Sequence, residues 1–360
     1  ARPPASRRAR KKNLWATTIV DPPHRRARGR GFGSAIAMGR FKTQHNGYSL
    51  AFSPFVEGRV AVTTSQNFGI IGNGVQYVLE QRGGPGAPLV EVARFDAADG
   101  LYDCCWSEEN ESVLVSASGD GSVKVWDVAA PPMANPLRSL EEHTHEVYAV
   151  HWNQVRKDCF LSASWDDTVK LWSLAGPPAS LRTFAEHSYC VYAAVWSPQH
   201  ADIFATASGD CTLKVFDART QFSTLTIPAH EYEILCCDWN KYNDCVVATG
   251  SVDKTVRLWD IRSPRRELAQ IAGHSYAVRR VRCDPWNESI VYTCSYDMTV
   301  AMWDYKAAGG AAGGVAAPLR RWGHHAEFAV GLDASALTEG VVGSCGWDEQ
   351  VAVWHRDVDP

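Results

Sequence analysis

The chain has 360 residues, of which 45% are hydrophobic and 21% charged, an ordinary globular balance with ample apolar surface for a core. A formal net charge of −4 and a pI of about 6.3 give no overall basic character, which argues against a nucleic-acid partner. Its longest apolar runs fall short of the roughly 18–20 residues of a membrane-spanning helix, so direct membrane insertion is not expected.

Residues 1–40 hold eleven Lys/Arg and a single acid, Asp21, which leaves 25 basic and 39 acidic residues, a net −14, for the remainder. An acidic body predisposes to basic ligands. The basic segment shows no convincing signal-peptide h-region, and its Arg-rich, acid-poor composition has only weak transit-peptide character. It reads as a disordered tail, because such a composition cannot bury enough surface to order itself. Next comes YSLAFSPFVEGRVAVTTSQNFGIIGNGVQYVLE, a strand-rich stretch ending near Leu79.

Six segments then end alike: GDGSVKVWD, WDDTVKLWS, GDCTLKVFD, VDKTVRLWD, YDMTVAMWD and WDEQVAVWH. Their aromatics, Trp126, Trp172, Phe216, Trp259, Trp303 and Trp354, are spaced by 46, 44, 43, 44 and 51 residues. That period is close to the ~40–45 residues of WD repeats. The one long interval holds AAGGAAGGVAAP (307–318), a low-complexity loop that accounts for the surplus. An Asp lies six residues before every aromatic: Asp120, Asp166, Asp210, Asp253, Asp297 and Asp348. A Ser lies eight before in five copies (Ser118, Ser164, Ser208, Ser251, Ser295), with Gly346 in the last. A His lies 29 before in five copies (His143, His187, His230, His274, His325), and Ala97 takes that place in the first.

Alternating strands flank each Asp, so each copy is a hairpin turned by that Asp, tied by a buried His–Ser–Trp–Asp network. With the earlier stretch as a degenerate copy lacking the Asp and Trp, seven four-stranded blades fit residues 41–358. The fold is therefore expected to be all-β, a seven-bladed β-propeller of WD40 repeats, since such repeats bury a core only by stacking and closing radially. By analogy with WD proteins, the segment around Phe41–Thr43 supplies the outer strand of the last blade.

Eleven cysteines include no C-x-x-C pair, so no metal or cofactor site is expected and the thiols read as reduced and structural. His, Ser and Asp together invite a hydrolase reading. The trio recurs at fixed register in blade after blade, whereas a catalytic constellation is usually made once. No G-x-S-x-G elbow, Walker loop or dinucleotide fingerprint occurs, and the chain is not expected to be an enzyme.

A binding surface belongs where the copies differ. Just before the hairpin Asp stand Gly119, Trp165, Gly209, Val252, Tyr296 and Trp347, three of them large aromatics of the kind that form interface anchors. Near the start of the innermost strands stand Asp99, Glu146, Glu233 and Glu327, with Glu231 nearby. Together they suggest an acidic, aromatic-lined platform for an Arg-bearing peptide, since carboxylates pair bidentately with guanidinium. Arg279 and Arg280 break the acidic pattern, and pairing with Glu233, with Glu327 or with an acidic partner is open.

The blade-specific strings narrow the reading. DGLYDCCWSE, EEHTHEVYAVHW, SPQHADIFATASGD, HEYEILCCDWNKYN, GHSYAVRRV and HHAEFAVGLD resemble the peroxisomal targeting signal type 2 receptors, the peroxin-7 family, over roughly residues 45–355. The resemblance implies a cytosolic receptor that cycles to the peroxisome. It would capture thiolase-type matrix proteins through an N-terminal signal, Arg-Leu-x5-His-Leu, presented as an amphipathic helix. It further implies a co-receptor peroxin (the long form of the C-terminal-signal receptor, or its fungal equivalent) and a peroxisomal docking complex. The other class is a generic WD40 scaffold or substrate adaptor in a ubiquitin ligase or chromatin complex, which would need an added docking helix that residues 1–40 do not show.

Overall fold

The computed structural model describes residues 38–83, 86–308 and 317–357. The basic segment up to residue 37 and most of the Ala/Gly insert lie outside them. Among the described residues, 28 strands form seven four-stranded antiparallel sheets. Six blades use four consecutive strands each. The seventh joins three C-terminal strands to Met38–Lys42, which pairs with Gln350–His355 with Phe41 opposite Val351. The closing strand thus begins three residues before the Phe41–Thr43 segment that the repeat pattern suggested.

The innermost strands are Asn46–Phe52, Leu101–Trp106, Val147–Trp152, Val191–Trp196, Ile234–Trp239, Val278–Cys283 and Ala329–Ala334. Their apolar side chains meet those of the neighbouring blade rather than their own alone. Ala205 and Leu213 of blade four pack with Cys237, Trp239 and Val247 of blade five, and Leu50 and Val62 of blade one pack with Cys345 and Val353 of blade seven. No blade has a core of its own, which is why closure, and not any single sheet, stabilises the fold.

In six of the seven blades the hairpin is fixed by its Asp. In blade three, Asp166 Oδ1 accepts from the amide (3.0 Å) and hydroxyl (2.6 Å) of Thr168, while Oδ2 faces His143 Nδ1 at 2.8 Å. This clamp holds the residue after the Asp in left-handed backbone. Gly121 adopts it freely, whereas Asp167, Cys211, Lys254, Met298 and Glu349 do so with side chains, at φ between 63 and 73°.

The hydroxyl of the network differs from the expected one. His143 Nε2 meets Ser162 Oγ at 2.7 Å, and Trp172 Nε1 donates to that same oxygen at 2.8 Å. The partner therefore lies ten residues before the aromatic, as Ser162, Thr206, Thr249, Thr293 and Ser344. The Ser eight before does another job: Ser164 Oγ donates to Glu146 O and accepts from Asp166 N, which ties the turn to the inner strand. Alternation explains the shift, because positions eight and ten share a face but the strand end is where backbone groups need partners. In blade two, which has no His, Gln76 of the degenerate blade accepts from Ser116 Oγ at 2.7 Å, and Trp126 donates to the same hydroxyl.

Removing one member leaves the others buried without a partner. Asp253→Ala is expected to cost about 1–3 kcal/mol at neutral pH, read as a shift in urea midpoint. Burial works to raise the Asp253 carboxyl, but the bonds to His230 and Thr255 outweigh it and hold it below the usual range. A depressed folded-state value means the carboxylate stabilises fully above its unfolded value near ~3.9 and progressively less as pH falls. The gap between wild type and Asp253→Ala should therefore narrow below about pH 4.

Candidate functional site

Every innermost strand carries a β-bulge near its start, seen as a register shift between Gly47 and Ser49, Leu101 and Asp103, Val147 and Ala149, and so on around the ring. A bulge re-aims the extra side chain. The bulged residues are Tyr48, Tyr102, Tyr148, Tyr192, Leu235, Arg279 and Val330, all at the end of the axial channel that carries the Asp hairpins. Four adjacent blades thus place a tyrosine side by side, with centroids 5.3–5.4 Å apart from Tyr48 through Tyr102 and Tyr148 to Tyr192.

The three aromatics singled out before the hairpin Asp extend this row into a collar. Trp165 stacks on Tyr148 at 5.3 Å and meets Tyr192 edge-on at 6.2 Å. Trp347 touches Tyr48, Phe68, Tyr296 and Phe328, and Tyr296 lies 4.8 Å from Phe328. All three are half-buried, packed on their neighbours yet not closed off from solvent. Blade four does without an aromatic at this position because Tyr189 already occupies the space: a Cβ at Gly209 would stand 2.4 Å from its ring.

The carboxylates do not form one even rim. Asp99 and Glu146 both lie close enough to Tyr102 to raise its hydroxyl further after burial has done so. A Cβ at Gly119 would come within 2.9 Å of Asp99 Oδ1, so a glycine there is what lets this carboxylate lie over the turn. Glu146, expected on the acidic platform, is only 5% exposed, so reversing its charge would burden the fold as well as any ligand. Glu233 of blade five is half-buried and accepts from Tyr192 Oη at 3.2 Å; burial pushes its carboxyl up. Glu327 and Glu231 are exposed, Glu327 on blade seven away from the Tyr102 and Tyr192 groups.

The two arginines settle inside the channel. Arg280 pairs with Asp103 across the axis at 2.9 Å, not with Glu233 or Glu327, and Arg279 lies over the Tyr148 ring at 4.8 Å. The repeated His–Asp pairs are structural in their geometry: the side chains of His143, His230 and His325 are fully buried, each spent on its own blade. Among the described residues no cluster of His, Cys, Asp or Glu could hold a metal ion, and all eleven cysteines are unpaired.

One part of the face escaped the repeat pattern because it lies in the degenerate blade. There the hairpin turn is replaced by Gln66–Gly69 and the residues that follow, with Asn67 and Phe68 in left-handed backbone at φ 50 and 55°. Phe68, Ile70 and Ile71 are 49, 62 and 73% exposed, and Tyr102 Oη donates to Gly69 O at 2.9 Å, which fixes this apolar lip against the collar. The run FGII, apolar yet enclosed by glycines, was the available signal.

Similarity to known proteins agrees with this architecture and narrows it. The WD domain, G-beta repeat model matches residues 90–127, 134–173, 178–217, 221–260 and 265–304. The WD40 propeller domain of Doa1 superposes with a TM-score of 0.73 over 88% of this chain and 95% of that one; at 17% identity this concerns the fold alone. Peroxisome biogenesis protein 7 of Arabidopsis thaliana is 56% identical over 321 residues, 89% of this chain and 98% of its own length. The chain belongs to the peroxisomal targeting signal 2 receptor family. Receptors of that name from Dictyostelium discoideum and Homo sapiens are 55% and 44% identical over 113 and 118 residues, in each case 35% of the relative. As a member of this receptor family the chain presents on one face what the repeats themselves do not specify: four inner tyrosines, three rim aromatics, an apolar lip and three partly sheltered carboxylates.

Proposed function

We propose that this chain is an import receptor that binds the N-terminal type 2 targeting signal of peroxisomal matrix proteins on the collar face. It acts by binding and not by catalysis, and with a co-receptor it delivers cargo from the cytosol to a docking complex at the peroxisome. The observation that carries the reading is the match to the Arabidopsis protein over 98% of its length. The face supports it in chemistry. An amphipathic helix needs an apolar bed and a polar anchor. Phe68, Ile70, Ile71 and Trp347 supply the bed. Glu233, with Asp99 and Glu146 nearby in the ring, supplies carboxylates for the signal's Arg. Trp165, Tyr296 and Glu327 complete the set of proposed contacts.

The test is retention of a thiolase-type presequence peptide by the full chain, with and without co-receptor. The wild-type peptide should be retained, and replacing its Arg by Ala should weaken retention at least tenfold. Indifference to that replacement would overturn the acidic anchor, and failure to retain the wild-type peptide under both conditions would overturn the function.

A further inference from the structure

The innermost strand of blade six carries Arg279, Arg280 and Arg282 within four residues, and the channel treats them differently. Arg280 reaches the Asp103 carboxylate at 2.9 Å and Arg282 reaches that of Asp333 at 3.2 Å. Arg279 forms no ion pair among the described residues. It is 2% exposed, its guanidinium lies 4.8 Å over the Tyr148 ring, and its Nε and Nη2 are buried without a hydrogen-bond partner.

Stacking on a ring uses the face of a guanidinium and leaves its in-plane N–H donors unmet. The two unmet groups are not scattered. Nε and Nη2 share one edge of the planar group, the edge that presents two parallel N–H bonds to the two oxygens of a carboxylate. Buried donors in native proteins are nearly always satisfied, and a specific exception calls for a cause. The place of this exception is informative. Arg279 is the bulged residue of its strand, in register with Tyr48, Tyr102, Tyr148 and Tyr192, and so lies in the channel end that the collar surrounds. Deeper in the channel, where no ligand would reach, both arginines are already paired.

We propose that Arg279 is a receptor for a carboxylate brought by the protein segment that docks on the collar. An Asp or Glu side chain of that segment enters the mouth of the channel between the rings and takes the Nε and Nη2 hydrogens in a bidentate pair, giving Arg279 in the complex the carboxylate partner that Arg280 has within the chain through its Nη2 alone. The ligand face is thereby bipolar: acidic at Glu233, Asp99 and Glu146, cationic at its centre. The inference rests on the proposed function for which segment docks there. Both the targeting peptide and the co-receptor can carry the acid.

The experiment compares the full chain with Arg279→Met, whose straight apolar stem still packs on Tyr148. The probes are a thiolase-type signal peptide and the same peptide with co-receptor. In the free receptor, loss of an unpaired buried charge should leave the thermal midpoint unchanged or raise it. Binding should nevertheless weaken at least tenfold. Neutralising the ligand's acids one at a time (Asp→Asn, Glu→Gln) should reveal one carboxylate whose loss weakens binding to the wild type but not to Arg279→Met. Finding it in the peptide or in the co-receptor decides the source. Equal binding by wild type and Arg279→Met, or coupling to no carboxylate of either ligand, overturns the proposal. Should Arg279→Met not fold, Arg279→Lys serves: it keeps the charge but loses the paired edge, and should bind more weakly than wild type with a reduced coupling to the same carboxylate. A wild-type chain that retains no peptide would instead sink the functional reading itself.

Discussion

Replacing Asp103 by Ala is expected to lower the stability of the propeller by about 3–5 kcal/mol, the largest loss for any single polar side chain of the channel. Asp103 is almost fully buried, and three other blades converge on it. Ser49 Oγ of blade one donates to Oδ1 at 2.6 Å, Arg280 Nη2 of blade six donates to the same oxygen at 2.9 Å, and the Val150 amide of blade three donates to Oδ2 at 3.2 Å. Burial by itself would raise the carboxyl, but the Arg280 charge, the bonds from Ser49 and Arg280 and the Arg282 charge together outweigh it and hold Asp103 below its usual range. Truncation strands a buried guanidinium whose Nε already has no partner. The magnitude follows from that stranding and not from the worth of the pair, because a buried pair taken as a whole roughly balances its own desolvation. The double variant Asp103→Leu with Arg280→Met should consequently recover most of the loss. Urea unfolding of the two variants beside wild type checks both statements. A loss under about 1 kcal/mol for Asp103→Ala would mean that water enters the channel and solvates Arg280.

The contrast between what the sequence made legible and what it did not follows the same line. Blade number, hairpin turns and the His–Asp pairs could be read because they recur, and recurrence reflects a local requirement that every blade shares. The acceptor hydroxyl of the network is not encoded in the spacing, since Ser164 and Ser162 lie on the same strand face and spacing alone does not say which one meets His143. The Arg280–Asp103 bridge joins residues 177 apart in sequence across a closed ring, a distance no repeat register encodes. The tyrosine row was present as Y at one position of four inner strands, yet its meaning depends on the bulges that turn those side chains to the axis. Of the proposed carboxylates, sequence placed Asp99, Glu146, Glu233 and Glu327 on one end of the propeller but could not rank their burial, which separates sheltered Glu146 and Glu233 from exposed Glu327.

That ranking yields the second large effect. Glu233→Arg should weaken binding of an Arg-bearing signal peptide by roughly tenfold to a hundredfold, the ~1.5–3 kcal/mol of a hydrogen bond to a charged group. Glu327→Arg, on an exposed rim where charge is screened, should change it by less than about threefold. Glu233 is half-buried against Tyr192, whose hydroxyl donates to Oε2 and keeps the carboxylate aimed, so the anchor is preorganised where Glu327 is not. Burial also pushes the Glu233 carboxyl up, with the Tyr192 bond opposing it. The ionised form binds the guanidinium, so affinity should be full well above this raised value and fall as pH is lowered through it. Titrating peptide affinity downward from neutral pH to below the ordinary carboxylate range should therefore show a decline in wild type that sets in earlier than in Glu233→Gln. A decline of equal onset in both would move the anchor to another carboxylate, with Asp99 and Glu146, which together face Tyr102, as the pair to replace next.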